Sequence, residues 1–442
     1  MIVRKNAILI IESLKEAIFS KNIIMDFRTD KKYFTRERKQ PFGEMILFML
    51  NLVKKSLVIE IDNFVQFFNS KELSDSVKNF TKSAFVQKRI KIKPEVFTHL
   101  SAIIIDGIYN NKSVKIKRFM GFRLLAVDGS KITLPNTKEL REYLGESKNQ
   151  TSTSVVQART STLYDLLNNF VLDSVVERLK IGERVLALRH SFRWEKNDLI
   201  IYDRGYPSYD FIYEHFKRDV NFVMRATLTY SKMVIAFVES GKTSSIVDIF
   251  PQEKHCFNGK EYNKTSAQKI RLVRVVLPSG EIEVLITSLL DNQEYPSSMF
   301  KKLYFLRWKI ETFYDELKNK IKVEYFSGLS KISVLQDFYC AIFISNLQSV
   351  IVNELQEELE IKNKKTKLDY KVNTNLSYGF LKNRVLELLY NEGSAEDVFI
   401  ELRTLFINNT VPIRPDRNNK RNIGKYRTRM RPHVLKNQKD AI

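Results

Sequence analysis

The chain has 442 residues, 43% of them hydrophobic, and carries 73 Lys and Arg against 51 Asp and Glu, a formal net charge of +22. That hydrophobic content excludes a disordered chain, and the length admits two or three domains. The charge points to a polyanionic partner, nucleic acid ahead of anionic membrane, and two isolated cysteines, Cys256 and Cys340, exclude a disulfide framework or a Cys-based zinc site and fit a reducing cytoplasm.

Residues 1 to about 115 read as mainly helical. Ala7 to Phe19 and Phe42 to Leu57 carry apolar residues at helical spacing, and Pro94 marks a helix start. Between them, Lys88, Arg89, Lys91 and Lys93 fit either a DNA-contacting surface or an ordinary basic turn. The N-terminus shows no cleavable leader pattern.

The pattern changes at Gly121. The run from Phe122 to Asp128-Gly-Ser predicts a buried strand ending on a carboxylate. Ser154 to Tyr164 and Asn169 to Val175 predict two further strands, and Glu183 to Phe192 a helix. His190 on that helix has no partner histidine at metal spacing and reads as a surface or packing residue. The stretch Leu199-Ile-Ile-Tyr-Asp203-Arg-Gly-Tyr repeats the earlier arrangement of apolar strand, aspartate and glycine-containing turn. A helix from Tyr209 to Phe216 and a strand from Asn221 to Arg225 follow. Residues 226 to about 280, with turn signals at Gly241, Pro251, Gly259 and Gly280, predict an inserted set of β-strands, and Glu283 to Ser288 a last core strand.

The stretch from Tyr304 to Lys318 holds strong helix formers and neither Pro nor Gly. At about 100° per residue, Leu303, Leu306, Ile310, Phe313 and Leu317 share one stripe. Tyr304, Arg307, Glu311 and Lys318 fall within an arc of about 60° beside it. On the residues alone, this is either a solvated face with i,i+4 ion pairs or a metal-holding carboxylate beside phosphate-holding donors. Beyond Gly328, Phe338 to Leu359, Phe380 to Leu389 and Ala395 to Phe406 read as helices. The uncharged run from Phe338 to Asn353 contains Ser345, Asn346, Gln348 and Ser349 and is too short to span a membrane. From Pro412 the chain is dense in Arg and Lys, which predicts a tail disordered when free that contacts nucleic acid or merely solubilises. No P-loop, His-Glu-x-x-His or Gly-x-Ser-x-Gly pattern is present.

The spacing Tyr304-x2-Arg307-x3-Glu311-x6-Lys318, preceded by Asp128-Gly-Ser and Asp203-Arg-Gly-Tyr, resembles the Y-R-E-K signature of bacterial insertion-sequence transposases of the DDE class, the insertion sequence four group. The likeness is strong over 121–135, 198–210 and 283–328 and weaker at both ends, where Phe85-x-Gln87-x-Arg89 has the character of the family's N-terminal helical part. It implies an α/β fold with an RNase H-like core, a mixed sheet flanked by helices, interrupted by a β-rich subdomain. The corresponding division is a helical DNA-binding region at 1–115, core at 116–225, insertion at 226–281, core with the signature helix at 282–335, a helical region at 336–411 and a basic tail at 412–442.

The resemblance also implies chemistry. Phosphodiester cleavage passes through a crowded, charged phosphorus centre, and two hard cations roughly 4 Å apart activate the attacking oxygen and stabilise the leaving one. Asp128, Asp203 and Glu311 are the implied catalytic and metal-binding residues, holding two Mg²⁺ or substituting Mn²⁺. Tyr304, Arg307 and Lys318 are the implied DNA contacts, with Arg204, Lys88 and Arg89 beside them. The implied partner is double-stranded DNA, at transposon ends and target, bound by a homodimer on paired ends in the bacterial cytoplasm, with no membrane and no nucleotide cofactor. Such an enzyme nicks the ends with water and uses the freed 3′ hydroxyl to attack target DNA. A catalytically inactive transposon-derived DNA-binding protein and a structure-selective nuclease without strand transfer are the alternatives. Asp315, one turn after Glu311, is the nearest competing acid, and Asp165 and Asp173 read as turn and strand-edge residues. Some relatives carry a base-stacking Trp where this chain has Glu283, and Trp194 and Trp308 read as core or helix-packing residues.

Overall fold

Helices open the chain, as the apolar spacing predicts: α1 (Ile2–Phe19), α2 (Lys21–Phe27), α3 (Phe42–Leu50), α4 (Leu57–Ser70), α5 (Lys82–Arg89) and α6 (Glu95–Tyr109). Ser20 and Thr81 cap α2 and α5 by accepting from the Ile23 and Ala84 amides. The single helix expected over 42–57 is instead cut after Leu50, because Leu52 adopts a left-handed φ of 53°. The computed structural model describes residues 2–36, 40–70, 79–112, 114–148, 154–252, 260–390, 395–414 and 441–442. Most of the basic tail, residues 415–440, lies outside them.

Next come β1 (Arg123–Thr133), α7 (Lys138–Leu144), β2 (Glu146–Lys148), β3 (Ser154–Asp165), β4 (Val171–Arg178), α8 (Glu183–Arg189) with a 3₁₀ turn over His190–Arg193, β5 (Asp198–Tyr202), α9 (Tyr209–Lys217) and β6 (Asn221–Ala226). The strands join one mixed sheet. β3 pairs antiparallel with β1 and β4, while β5 pairs parallel with β1 and β6. The order β4-β3-β1-β5-β6, an antiparallel meander followed by two parallel strands, is that of an RNase H-like core. β1 and β5 read Leu-Leu-Ala-Val and Leu-Ile-Ile-Tyr and are buried throughout these runs, as central strands covered on both faces must be.

The insertion carries α10 (Lys232–Glu239), β7 (Ser244–Ile249) and β8 (Gln268–Val276), and the chain returns through β9 (Ile282–Thr287). Its strands lengthen the central sheet, in the order β6-β9-β8-β7. α10 was not expected from sequence, although Ser231 caps it and Val234 and Phe237 form its buried stripe. Then follow α11 (Met299–Phe305), α12 (Trp308–Asn319), α13 (Lys331–Glu354), α14 (Gln356–Asn363), β10 (Tyr370–Val372), α15 (Thr374–Tyr390), α16 (Ala395–Asn408) and β11 (Thr410–Pro412). α13 is long and apolar enough to cross a membrane, but 83% of its apolar window is buried within the fold, as in a core helix.

By contacts the chain forms two compact units. One comprises Lys115–Asp315 and Gly328–Leu335 and contains the sheet; the other comprises Met1–Val114, Glu316–Ser327 and Gln336–Ile442. The helical second unit brings together the two ends of the described chain. Asn51 and Asn383 exchange hydrogen bonds, and Lys382 pairs with Glu60 at 2.7 Å.

Candidate active site

Two parallel strands set the first half of the site. In their register Ala126 stands beside Ile201, so Asp128 and Asp203, each two residues further on, lie level. At the opposite end, Arg123 pins the strands together with a two-pronged bond to the buried Asp198 at 2.7 and 2.9 Å. The sequence predicted a strand ending on Asp128, and the structure corrects this. β1 continues to Thr133 against β3, with Asp128 opposite Thr162 and Ile132 buried. What ends at this level is β5, whose last residue, Tyr202, precedes Asp203. Asp128 is therefore held mid-strand, near the point where β5 stops.

The signature stretch supplies the second half. The expected single helix is two, α11 and α12, joined through Leu306 and Arg307. The joint is a tightened turn: the amides of Leu306, Arg307, Lys309 and Ile310 each bond to the carbonyl three residues back. Residues three apart eclipse in such a turn. Arg307 thus lies over Tyr304, its guanidinium 5.7 Å from the ring centre. Both side chains are turned inward, with Tyr304 5% and Arg307 3% exposed. Tyr304 Oη donates to Asp203 Oδ1 at 3.1 Å. Arg307 Nη2 donates to Glu311 Oε1 at 2.7 Å, and its Nη1 lies 3.7 Å from Asp128 Oδ2. Tyr314, one turn after Glu311, donates to the Asp128 carbonyl at 2.9 Å, and Phe313 stacks on Tyr164 of β3. α12 therefore covers the sheet face to which Asp128 points, and all three candidate acids gather about Tyr304 and Arg307.

Burial raises the Asp128 carboxyl to about 6; the Gly129 amide and Arg307 oppose the rise, and Asp203 and Glu311 add to it. Tyr304 is pushed upward by burial, and the adjacent Asp203 adds to the rise although Arg307 opposes it, so it remains a donor. The rise is thus first a cost of burying the charge, with the two neighbouring acids adding to it. The donor set is chemically suited to a hard divalent cation: carboxylate oxygens only, with a cationic group already between two of them. In the arrangement observed these acids face Arg307, and among the described residues no three acidic, His or Cys side chains close on a common ion position.

The other residues singled out from sequence divide. Arg204 is exposed in the turn beside Asp203, and Lys318 is half-buried seven residues beyond Glu311 on α12. Lys88 lies over the Phe34 ring at 4.4 Å. Arg89 departs from expectation. It is 1% exposed and bonded to Asp337, Gln336 and Ser327, so its charge is spent inside the helical unit and not on a phosphate. Asp315 is exposed, and Asp165 caps the turn after β3 through the Leu167 and Asn168 amides. His190 is fully buried between Asp173 and Ser161, a packing histidine and not a surface one. Trp308 is not a core residue: it is 44% exposed and carries the Arg307 guanidinium 5.4 Å from its ring, because the joint that turns Arg307 inward turns Trp308 out. Glu283 is buried and paired with Arg225 at 2.9 Å. Sequence reasoning passed over Tyr314, although its place three residues after Glu311 puts it on the same helical face.

The sequence profile of the family described as Transposase DDE domain matches residues 120–347. Among solved structures, the piggyBac transposase in a synaptic complex with hairpin DNA is similar, with a TM-score of 0.44 at 9% identity over 90% of this chain and 80% of that one. A search of curated proteins found no match. The profile spans just over half of the chain, including β1, β5 and the α11–α12 joint: the chain belongs to the DDE transposase family.

Proposed function

We propose that this protein is an insertion-sequence transposase of the Y-R-E-K group, which cleaves the ends of its element and joins the 3′ ends to target DNA. The observation that carries the reading is the shared engagement of the three acids. Arg307 faces Asp128 and Glu311 together, while Tyr304, one turn earlier, holds Asp203. An ion-paired surface helix gives no reason for two level strand aspartates to meet it.

In this reading Asp128, Asp203 and Glu311 hold Mg²⁺. Bound divalent ions supply activation of the attacking oxygen and charge stabilisation of the leaving one. The protein's own part is positioning. The β1–β5 register brings the two aspartates to the same end of the paired strands, and the Phe313 and Tyr314 contacts seat the helix that presents Glu311. Tyr304 spends its one hydroxyl proton orienting Asp203, while Arg307, Lys318 and exposed Arg204 offer donors to the phosphates flanking the cleaved bond. The net charge of +22 supports double-stranded DNA as partner. Action as a homodimer on paired ends in the bacterial cytoplasm completes the proposal. Lys88 fits a phosphate contact outside the site; Arg89 is withdrawn from that role.

The test is alanine substitution of Asp128, Asp203 and Glu311 in turn, with Mg²⁺-dependent nicking of a duplex carrying the element's terminal repeat as the readout. Each variant should still shift the duplex on a gel and should no longer nick it. Normal nicking by any one of them removes that residue from the site.

A further inference from the structure

The face of the sheet opposite α12 carries a feature that the catalytic reading does not use. Side chains alternate along β1, so Asp128 points toward α12 and Gly129 toward the other face. There α8 begins, and its first residue, Glu183, packs behind Gly129: a Cβ built on Gly129 would stand 3.4 Å from Glu183 Cγ. The same carboxylate reaches the turn after Asp203, where a Cβ on Gly205 would stand 3.4 Å from Glu183 Oε2. Its other oxygen lies 3.5 Å from Arg159 Nη1 on β3, a strand paired with β1. The next residue, Arg184, donates from Nε to the Gly205 carbonyl at 3.3 Å. Tyr206, which closes the Asp203 turn through its amide, lies within electrostatic reach of both Asp128 and Glu183. One short helical turn thus touches both aspartate-bearing segments from behind.

We infer that Glu183, assisted by Arg184, is a positioning residue that locks the Asp203 turn to the Asp128 strand and so fixes the separation of the two aspartates. The inference rests on the metal-site reading above. β5 ends before Asp203, so strand pairing no longer holds that carboxylate level with Asp128; the Glu183 bridge takes over where the ladder stops. Neither Gly129 nor Gly205 takes a positive φ, and Glu183 packs beside both.

The experiment compares full-length wild type, Glu183→Ala and Arg184→Ala. The first readout is the melting temperature of DNA-free protein against Mn²⁺ concentration, the second the Mg²⁺ dependence of end nicking, the third gel-shift affinity without metal. Removing residues that orient metal ligands lowers metal affinity by about 10–100-fold. Glu183→Ala should therefore raise both metal midpoints by about that factor, with metal-free affinity for DNA unchanged. Wild-type midpoints in Glu183→Ala would overturn the inference. Should that variant fail to fold, Arg184→Ala decides: it loses one bond at an exposed position and should shift the midpoints the same way by less, and unchanged midpoints overturn the inference. A wild type that neither nicks nor responds to Mn²⁺ would instead overturn the metal-site assignment itself.

Discussion

Asp128 shows how much the site departs from what stability alone would select. Its carboxyl is raised from the ordinary 3.8 to about 6, first by burial. The folded protein therefore holds this proton more tightly than the unfolded chain. The group's stabilising contribution is complete below pH 3.8 and is lost as pH rises through about 6. At neutral pH the metal-free fold carries the cost of an ionised, crowded carboxylate. Asp128→Asn removes that charge with little change of shape, so metal-free protein should gain stability at pH 7, by up to about 2 kcal/mol. The gain should shrink as pH falls toward 4. Thermal melts at several pH values in the presence of a chelator check this; a variant less stable than wild type at pH 7 would contradict it. Arg307 limits the same strain and has its own: its Nε is buried without a partner. Both features are costs that the fold tolerates at this position.

At the scale of elements, the pairing of β1 with β5 matters most. Arg123 and Asp198 fix its register from the far end, both essentially buried. Asp198→Ala takes the two-pronged acid from a buried guanidinium that also bonds the Arg193 carbonyl and the exposed Glu195, and should cost about 3–5 kcal/mol in chemical denaturation. A loss below about 1 kcal/mol would show that the strands hold register without it. The core strands were legible because they are continuous apolar runs closed by an aspartate and a glycine. The joint between α11 and α12 was not legible, since Leu306 and Arg307 are good helix formers and the change is only from four-residue to three-residue bonding. The candidate site residues were singled out through their spacing, but Glu183 was not. Its proposed role depends on its packing beside Gly129 and Gly205, which come together only when β1, β5 and α8 meet. Arg89 was misread for a related reason: a basic cluster on a helix looks alike whether its cations face water or a buried acid such as Asp337.

For the whole molecule, the linear division read from sequence gives way to an interleaved one. The N-terminal helices and the helices after Gln336 were expected as separate regions; they pack as one unit, tied by contacts such as Lys382 to Glu60 and Arg89 to Asp337. Such pairings join residues hundreds of positions apart, and no local pattern announces them. The central claim is that Glu311, and not a neighbouring acid, completes a catalytic set with Asp128 and Asp203. If α12 were only a charged surface, Glu311 and Asp315 would be equivalent, each contributing a few tenths of a kcal/mol through local pairs. The structure separates them, with Glu311 bonded to buried Arg307 and Asp315 exposed. The most direct measurement is Mg²⁺-dependent nicking of a labelled terminal-repeat duplex at saturating protein, comparing Glu311→Gln with Asp315→Asn. The account predicts that Glu311→Gln binds the duplex without nicking it while Asp315→Asn nicks like wild type; nicking spared by Glu311→Gln and abolished by Asp315→Asn would contradict it.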